Sequence, residues 1–166
     1  MRCFKLILAF FMVTFSAQVY ASGSVFWKKV SSWEVRVDPS LGHGCFLLVS
    51  YKRGTIIRIG LDGTNNYNGY LMLGNSNWKS IEPGKDYDVS VQFDNEDRWG
   101  AVAKGISMSE DDSVNFLYIT FSDLDFFKEF SRKHYMKIFY NNRMIQRLSL
   151  KGSSRAVSEM TECQKA

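Results

Sequence analysis

The sequence predicts a mainly β fold, either an antiparallel β-sandwich or a partly open β-barrel, with eight or nine short strands. Three observations support this. Apolar and polar residues alternate strictly in segments such as Trp33–Asp38 and Asp86–Phe93, which is typical of half-buried strands. Strands do not alternate with helices, so the sheet should be mainly antiparallel. Only two segments have helical spacing, and both lie in the C-terminal half.

The strands follow one another at short intervals separated by turn residues. Segment 45–51 is apolar on both faces and should be a central strand. Asn141-Asn142 is an asparagine-rich turn that should join the last two strands as a hairpin. The predicted strands cover residues 33–38, 45–51, 55–61, 70–74, 86–93, 101–108, 114–121, 135–140 and 143–150.

Two short helices are predicted from the spacing of apolar residues. The first lies within 122–134, where Ser122 can cap the helix and three phenylalanines form an apolar stripe. The second follows Gly152 and ends near the last residue. Its Ala156, Met160 and Cys163 are spaced i, i+4 and i+7, so they should share one face that points toward the sheet.

The N-terminal segment has the pattern of a secretory signal peptide. Arg2 and Lys5 precede an apolar run at 6–15, and small residues end at Ala21. The run is too short to span a bilayer, which needs about 20 residues. We therefore expect residues 1–21 to be a cleaved signal peptide, 22–32 a partly mobile lead-in and 33–166 one β-rich domain.

The charge balance excludes a strongly basic protein. The chain has 21 Lys and Arg against 17 Asp and Glu, a net charge of +4. Residues 1–21 contain two of the basic residues and none of the acidic ones, so the mature chain carries 19 against 17. Nucleic-acid binding needs a clustered basic face, which this scattered pattern does not predict.

The cysteines predict one disulfide. Cys3 is removed with the signal peptide and does not lie at the cleavage site, as a lipid-anchored cysteine would. Cys45 and Cys163 remain, and an exported chain with two cysteines is read as crosslinked. The neighbouring His43 is not a catalytic partner for Cys45, because catalytic pairs usually converge from different elements. Metal binding lacks a matching ligand spacing.

Sequence motifs for catalysis or cofactor binding are absent, so we predict no enzyme activity, no cofactor and no metal. The acidic segments 94–97 and 109–113 could offer oxygen ligands to a cation, but they do not match a calcium loop. A hydrolase that uses dispersed carboxylates, such as Asp62, Glu82 and Asp88, is an alternative.

Aromatic and acidic residues in loops are the best candidates for a partner or ligand site. Three aromatics lie in or beside the polar loop 64–78, where they could bind a ligand or plug the end of a barrel. The segment DNEDRW, residues 94–99, combines acidic residues with a tryptophan. The candidate residues are Tyr67, Tyr70, Trp78, Asp94, Glu96, Asp97 and Trp99.

The order of these parts resembles the small exported bacterial proteins related to invasion-associated locus B. The resemblance spans most of the mature chain through short motifs, although that family usually carries more cysteines. It implies an exported β-rich domain with helical additions and implies no catalytic residues. The residues that match are Trp33, Val35, Gly44, Cys45, Leu150, Gly152, Ser153, Ala156 and Cys163.

These observations lead to a first hypothesis and two alternatives. The first is a periplasmic or secreted, non-enzymatic domain that binds an envelope protein or glycan, without a stable membrane anchor after signal cleavage. The second is an inhibitor or immunity protein that acts on a cell-wall hydrolase, with DNEDRW as its contact segment. The third is the hydrolase with dispersed carboxylates.

Overall fold

The computed structural model describes residues 23–107 and 114–166. The predicted signal peptide, 1–21, and the acidic segment 109–113 lie outside the described residues, so their assignments stay predictions. Within the described part of the chain, no helix is both long enough and apolar enough to cross a membrane.

The described residues form a single antiparallel sheet of ten strands, which is not closed into a barrel. The order across the sheet is β1-β2-β3-β4-β5-β8-β7-β6-β9-β10. The strands are β1 (Val25–Val30), β2 (Trp33–Asp38), β3 (Gly44–Ser50), β4 (Thr55–Asp62), β5 (Asn68–Asn75), β6 (Asp86–Phe93), β7 (Arg98–Ser107), β8 (Asn115–Phe121), β9 (Tyr135–Tyr140) and β10 (Arg143–Ser149).

The mainly β, antiparallel fold with two late helices is confirmed. The structure contains one more strand than the nine predicted. This additional strand is β1, which lies in the segment predicted to be a partly mobile lead-in, so the sheet begins at Val25 rather than at Trp33. The pattern missed β1 because five of its six residues are exposed and an exposed strand has no apolar alternation to detect.

One face of the sheet curls around the main core. Every second residue of the strands from β2 to β10 contributes to one apolar cluster, and so do both helices. The helices are α1 (Asp125–Arg132) and α2 (Ser153–Lys165). Ser122 does not cap α1; instead, Asp123 Oδ1 accepts the Asp125 N–H at 2.8 Å.

A smaller core lies on the outer face of strands β3, β4, β5 and β8. It is built from Phe46, Tyr70, Met72 and Phe116. The ring of Phe116 lies over Gly74, where a Cβ would come within 2.4 Å of it. A glycine in a strand thus allows a large ring to lie flat on the sheet, which keeps these aromatics buried without a covering layer.

The predicted disulfide is confirmed. Cys45 in β3 is bonded to Cys163 in α2 across 118 residues of sequence. Gln164 supports the same junction, because its Oε1 accepts the Cys45 N–H at 2.8 Å. Ala156, Met160 and Cys163 are all buried, as the helical spacing predicted. The C-terminal helix is therefore fixed covalently to strand β3.

Candidate functional site

An open acidic cleft lies between the β6–β7 turn and the start of α1. Its volume is about 510 Å³, and five carboxylates surround the half-buried side chain of Trp99. Two carboxylates come from the turn and three from α1 and the residues just before it. The residues of the acidic cleft are Glu96, Asp97, Trp99, Asp123, Asp125 and Glu129.

Phe126 brings the two sides of the acidic cleft together. It is one of the buried residues of α1, and its ring centroid lies 5.7 Å from that of Trp99 in an edge-to-face arrangement. The rings of Phe93 and Phe121 lie 5.1 and 4.4 Å from it. These contacts place the indole of Trp99 under the first turn of α1, and such aromatic pairs stabilise beyond their buried area.

Asp94 fixes the β6–β7 turn to the connection between α1 and β9. Its carboxylate accepts the backbone N–H groups of His134 and Tyr135, the latter at 2.9 Å. Burial alone would raise the pKa of Asp94, but these hydrogen bonds outweigh burial and lower it. Asp94 itself has φ of 47°. The turn is thus four residues long, and Asp94 fixes its position.

Lys133, at the end of α1, neutralises part of the acidic cleft. Lys133 Nζ forms an ion pair with Glu96 and donates a hydrogen bond to its carboxylate. This hydrogen bond is the main reason why the pKa of Glu96 is lowered. Glu129 Oε2 lies 3.4 Å from Lys133 Nζ and accepts no hydrogen bond. Lys128 pairs with Asp125 one turn away. Two cations therefore face three of the five carboxylates.

Asp97 and Asp123 give the acidic cleft its excess negative charge. Among the described residues, neither has a cationic group within salt-bridge distance of its carboxylate. Both are exposed, and both line the cleft together with Trp99. The arrangement therefore offers an aromatic surface within a region of net negative charge, which suits a cationic group.

The three aromatics of the 64–78 region do not form one site. Tyr67 is 48% exposed on the β4–β5 loop, whereas Tyr70 is fully buried in β5. The hydroxyl of Tyr70 accepts a hydrogen bond from Arg58 Nε at 2.7 Å, and burial raises the pKa of Tyr70. Tyr70 thus belongs to the small outer core, where it helps to hold the Arg58–Asp38 ion pair.

Trp78 lies at the opposite end of the sheet from the acidic cleft. It packs against the main core and lines a small apolar pocket of about 100 Å³, together with Tyr87, Tyr140 and Ile145. Of the two roles that the sequence allowed for this residue, packing at the end of the curled sheet is the one that these contacts support.

The carboxylates named for a dispersed hydrolase do not line the acidic cleft. Asp62 accepts hydrogen bonds from Thr64, and Glu82 pairs with Lys85. Asp88 is exposed on β6. Nowhere in residues 23–107 and 114–166 do three His, Cys, Asp or Glu side chains meet in an arrangement that could hold a metal ion.

Sequence reasoning missed three residues of the acidic cleft. Asp123, Asp125 and Glu129 are not among the candidate residues that the sequence indicated. Asp125 and Glu129 are spaced i, i+4, so they share one face of α1. That spacing was the available signal, but it does not reveal that Trp99 lies beside this face.

Comparison of the chain with protein families, with curated proteins and with solved structures found no match.

Proposed function

We propose that this protein is an exported, non-enzymatic binding domain of the bacterial envelope and that its acidic cleft holds a basic protein partner. The observation that carries the proposal is the half-buried Trp99 in a cleft that five carboxylate residues also line. A partner lysine or arginine would stack on the indole while its charge meets the uncompensated Asp97 and Asp123. Tryptophans in such settings are frequent energetic centres of protein interfaces.

Export is part of the proposal. The N-terminal pattern and the resemblance to the invasion-associated locus B proteins support it. The buried Cys45–Cys163 disulfide supports it independently, because such crosslinks persist in oxidising compartments such as the periplasm.

Glu96 is poorly suited to act as the general acid of a glycoside hydrolase. A glycoside hydrolase needs one carboxyl with a raised pKa as its general acid. The pKa of Glu96 is lowered by the hydrogen bond from Lys133, which makes Glu96 a poor proton donor at neutral pH. An excess of negative charge also disfavours the anionic glycans of the envelope as partners.

Site-specific photo-crosslinking in the producing bacterium tests the proposal. A benzophenone amino acid at position 97 should give one main adduct with a basic protein. The same amino acid at position 52, on the exposed turn between β3 and β4, is the control and should give no such adduct. Equal adducts from both positions, or an acidic partner at position 97, would contradict the proposal.

Binding measurements with the captured partner then test the residues. Trp99→Ala should raise the Kd at least thirtyfold, which corresponds to a loss of about 2 kcal/mol in binding free energy. Asp97→Asn with Asp123→Asn should weaken it about tenfold and reduce its salt dependence, whereas Asp88→Asn should not change it. If the partner is a cell-wall hydrolase, a lysis assay will show whether binding inhibits it.

A further inference from the structure

The edge strand β1 exposes three consecutive apolar residues. Val25 is 55% exposed, Phe26 53% and Trp27 42%. They are adjacent in sequence and are the first residues of the sheet. Single exposed apolar residues are ordinary on protein surfaces, but a contiguous group that includes a tryptophan indicates an interaction surface.

Basic residues lie directly beside this apolar edge. Lys28, Lys29 and Arg155 line an open cleft of about 420 Å³ between β1 and the first turns of α2. Lys28 pairs with Glu159 at 2.9 Å. In the described part of the chain, no carboxylate lies within salt-bridge distance of Lys29 or Arg155. The edge therefore combines exposed apolar side chains with two basic residues that form no ion pair among the described residues, and of these Lys29 lies opposite Glu34 of β2.

The apolar side chains of β1 point to both faces of the strand. Trp27 and Lys28 both reach Glu159 of α2, so they lie on the helix side. Phe26 is paired with Arg36, which bonds to Glu34 and Ser24 on the opposite side. A rigid protein that packs on one face of the strand would cover only one of the two rings. A deformable surface into which the edge of β1 inserts can contact the rings of both Phe26 and Trp27.

A second strand is a poor occupant of this edge. A β-bulge shifts the register between Phe26 and Lys28, and bulges and lysines on an edge disfavour strand addition. Antiparallel pairing with a second copy would also bring Lys28 and Lys29 close to the same residues of that copy.

We propose that the β1 edge binds reversibly to the surface of an anionic phospholipid bilayer. Trp27 enters the interfacial layer, where amphipathic aromatic rings are favoured, and Phe26 adds apolar area to the contact. Lys29 and Arg155 contact the phosphate headgroups, which attract basic side chains near the surface. This contact does not involve the acidic cleft, so it stands or fails independently of the proposed partner.

Vesicle binding tests the proposal with the chain from Gly23 onward, which contains every described element of the fold and the intact disulfide. The probes are vesicles of phosphatidylcholine alone and vesicles with 30% phosphatidylglycerol. We expect at least tenfold stronger binding to the phosphatidylglycerol vesicles at moderate salt. Phe26→Ser with Trp27→Ser should reduce that binding at least tenfold.

Matched variants separate the two parts of the surface. Val102→Ser removes an equally exposed apolar residue from β7, and its binding should equal that of the unchanged protein. Lys29→Glu with Arg155→Glu should abolish the preference for phosphatidylglycerol, whereas Lys52→Glu with Arg53→Glu should retain it. Circular dichroism confirms that each variant is folded.

Three outcomes would overturn the proposal. The first is failure of the folded protein to bind phosphatidylglycerol vesicles, and the second is equal binding to both vesicle types. The third is a concentration-dependent dimer in sedimentation that Phe26→Ser with Trp27→Ser abolishes without changing vesicle binding, because the edge would then be an interface between two copies.

Discussion

Helices α1 and α2 pack against each other and against the same core, but different interactions hold them there. The buried face of α1 consists of Phe126, Phe127 and Phe130. That of α2 consists of small or flexible residues and ends in the disulfide. Ser153 Oγ links the two helices by donating a hydrogen bond to the Phe130 carbonyl at 2.8 Å.

This difference shows how a short helix can be fixed in two ways. Eight residues are too few for a stable isolated helix, so α1 depends on aromatic burial. Helix α2 buries little apolar area, and a covalent bond compensates for that. Each helix also borders one proposed surface, since α1 carries part of the acidic cleft and α2 carries Arg155 beside the β1 edge.

The largest expected effect comes from removing the disulfide. Cys45→Ala with Cys163→Ala opens a loop of 118 residues and should lower the free energy of unfolding by about 4 to 5 kcal/mol in the chain-entropy model. Hydrogen exchange should accelerate across α2 and much less across α1. Equal acceleration in both helices would show that α2 is not held separately from α1.

Phe130→Ala should have the next largest effect. Phe130 is fully buried and meets Trp33 edge to face at 5.4 Å, so truncation should cost about 3 to 5 kcal/mol in urea unfolding. Leu124→Ala, at an exposed position before α1, is the control and should cost less than about 0.5 kcal/mol. A similar loss for both would refute the role of the phenylalanine face.

Gly152→Ala tests how α2 begins. Gly152 has φ of 86°, and a Cβ there would approach the Ser31 Cβ to 3.2 Å. We expect a loss of about 1 to 2 kcal/mol, since an L-residue is strained in this conformation. Gly100→Ala has open space around it and no positive φ, so its stability should stay close to that of the unchanged protein.

Asp94→Asn should have the smallest effect, and that effect should depend on pH. The pKa of Asp94 is lower in the folded protein than in the unfolded chain. Its contribution is therefore fully present above the unfolded pKa and is lost as the pH falls through the folded pKa. We expect a loss of about 1 kcal/mol at pH 7 that shrinks below about pH 4. Urea unfolding of the unchanged protein and of Asp94→Asn at pH 7 and pH 3 measures this loss. An equal difference in the free energy of unfolding at both pH values would show that the charge of Asp94 does not contribute to stability.

Much of the fold could be predicted because its signals are local. Strict alternation in segments such as Trp33–Asp38 and Asp86–Phe93 reports which side of a strand is buried. The i, i+4, i+7 spacing predicted that Cys163 points inward, and the two cysteines outside the predicted signal peptide left one pairing. The strand β1 was missed because exposure removes the alternation from which a strand is detected.

The candidate sites could be predicted only in part. Tyr70, at the start of a predicted strand, was a candidate for either a ligand site or end packing. It is buried beside Arg58, because sequence does not tell which face of a doubly apolar strand is covered. Glu96, Asp97 and Trp99 were identified from their composition as a contact segment, and they do line one cleft. Their companions on α1 were not identified as such.

The sequence by itself determined the antiparallel β class, the two late helices and the disulfide, because periodicity is a local property and two cysteines outside the predicted signal peptide allow only one pairing. Only the tertiary structure decided where the charges meet. Trp99 and Glu129 are thirty residues apart in the chain, and the packing of Phe126 against Trp99 brings their elements together. Likewise, the packing of α2 against β1 places Arg155 beside Lys29. Contacts between residues so far apart in the chain depend on how the sheet curls around its core, and a local sequence pattern does not predict that curvature.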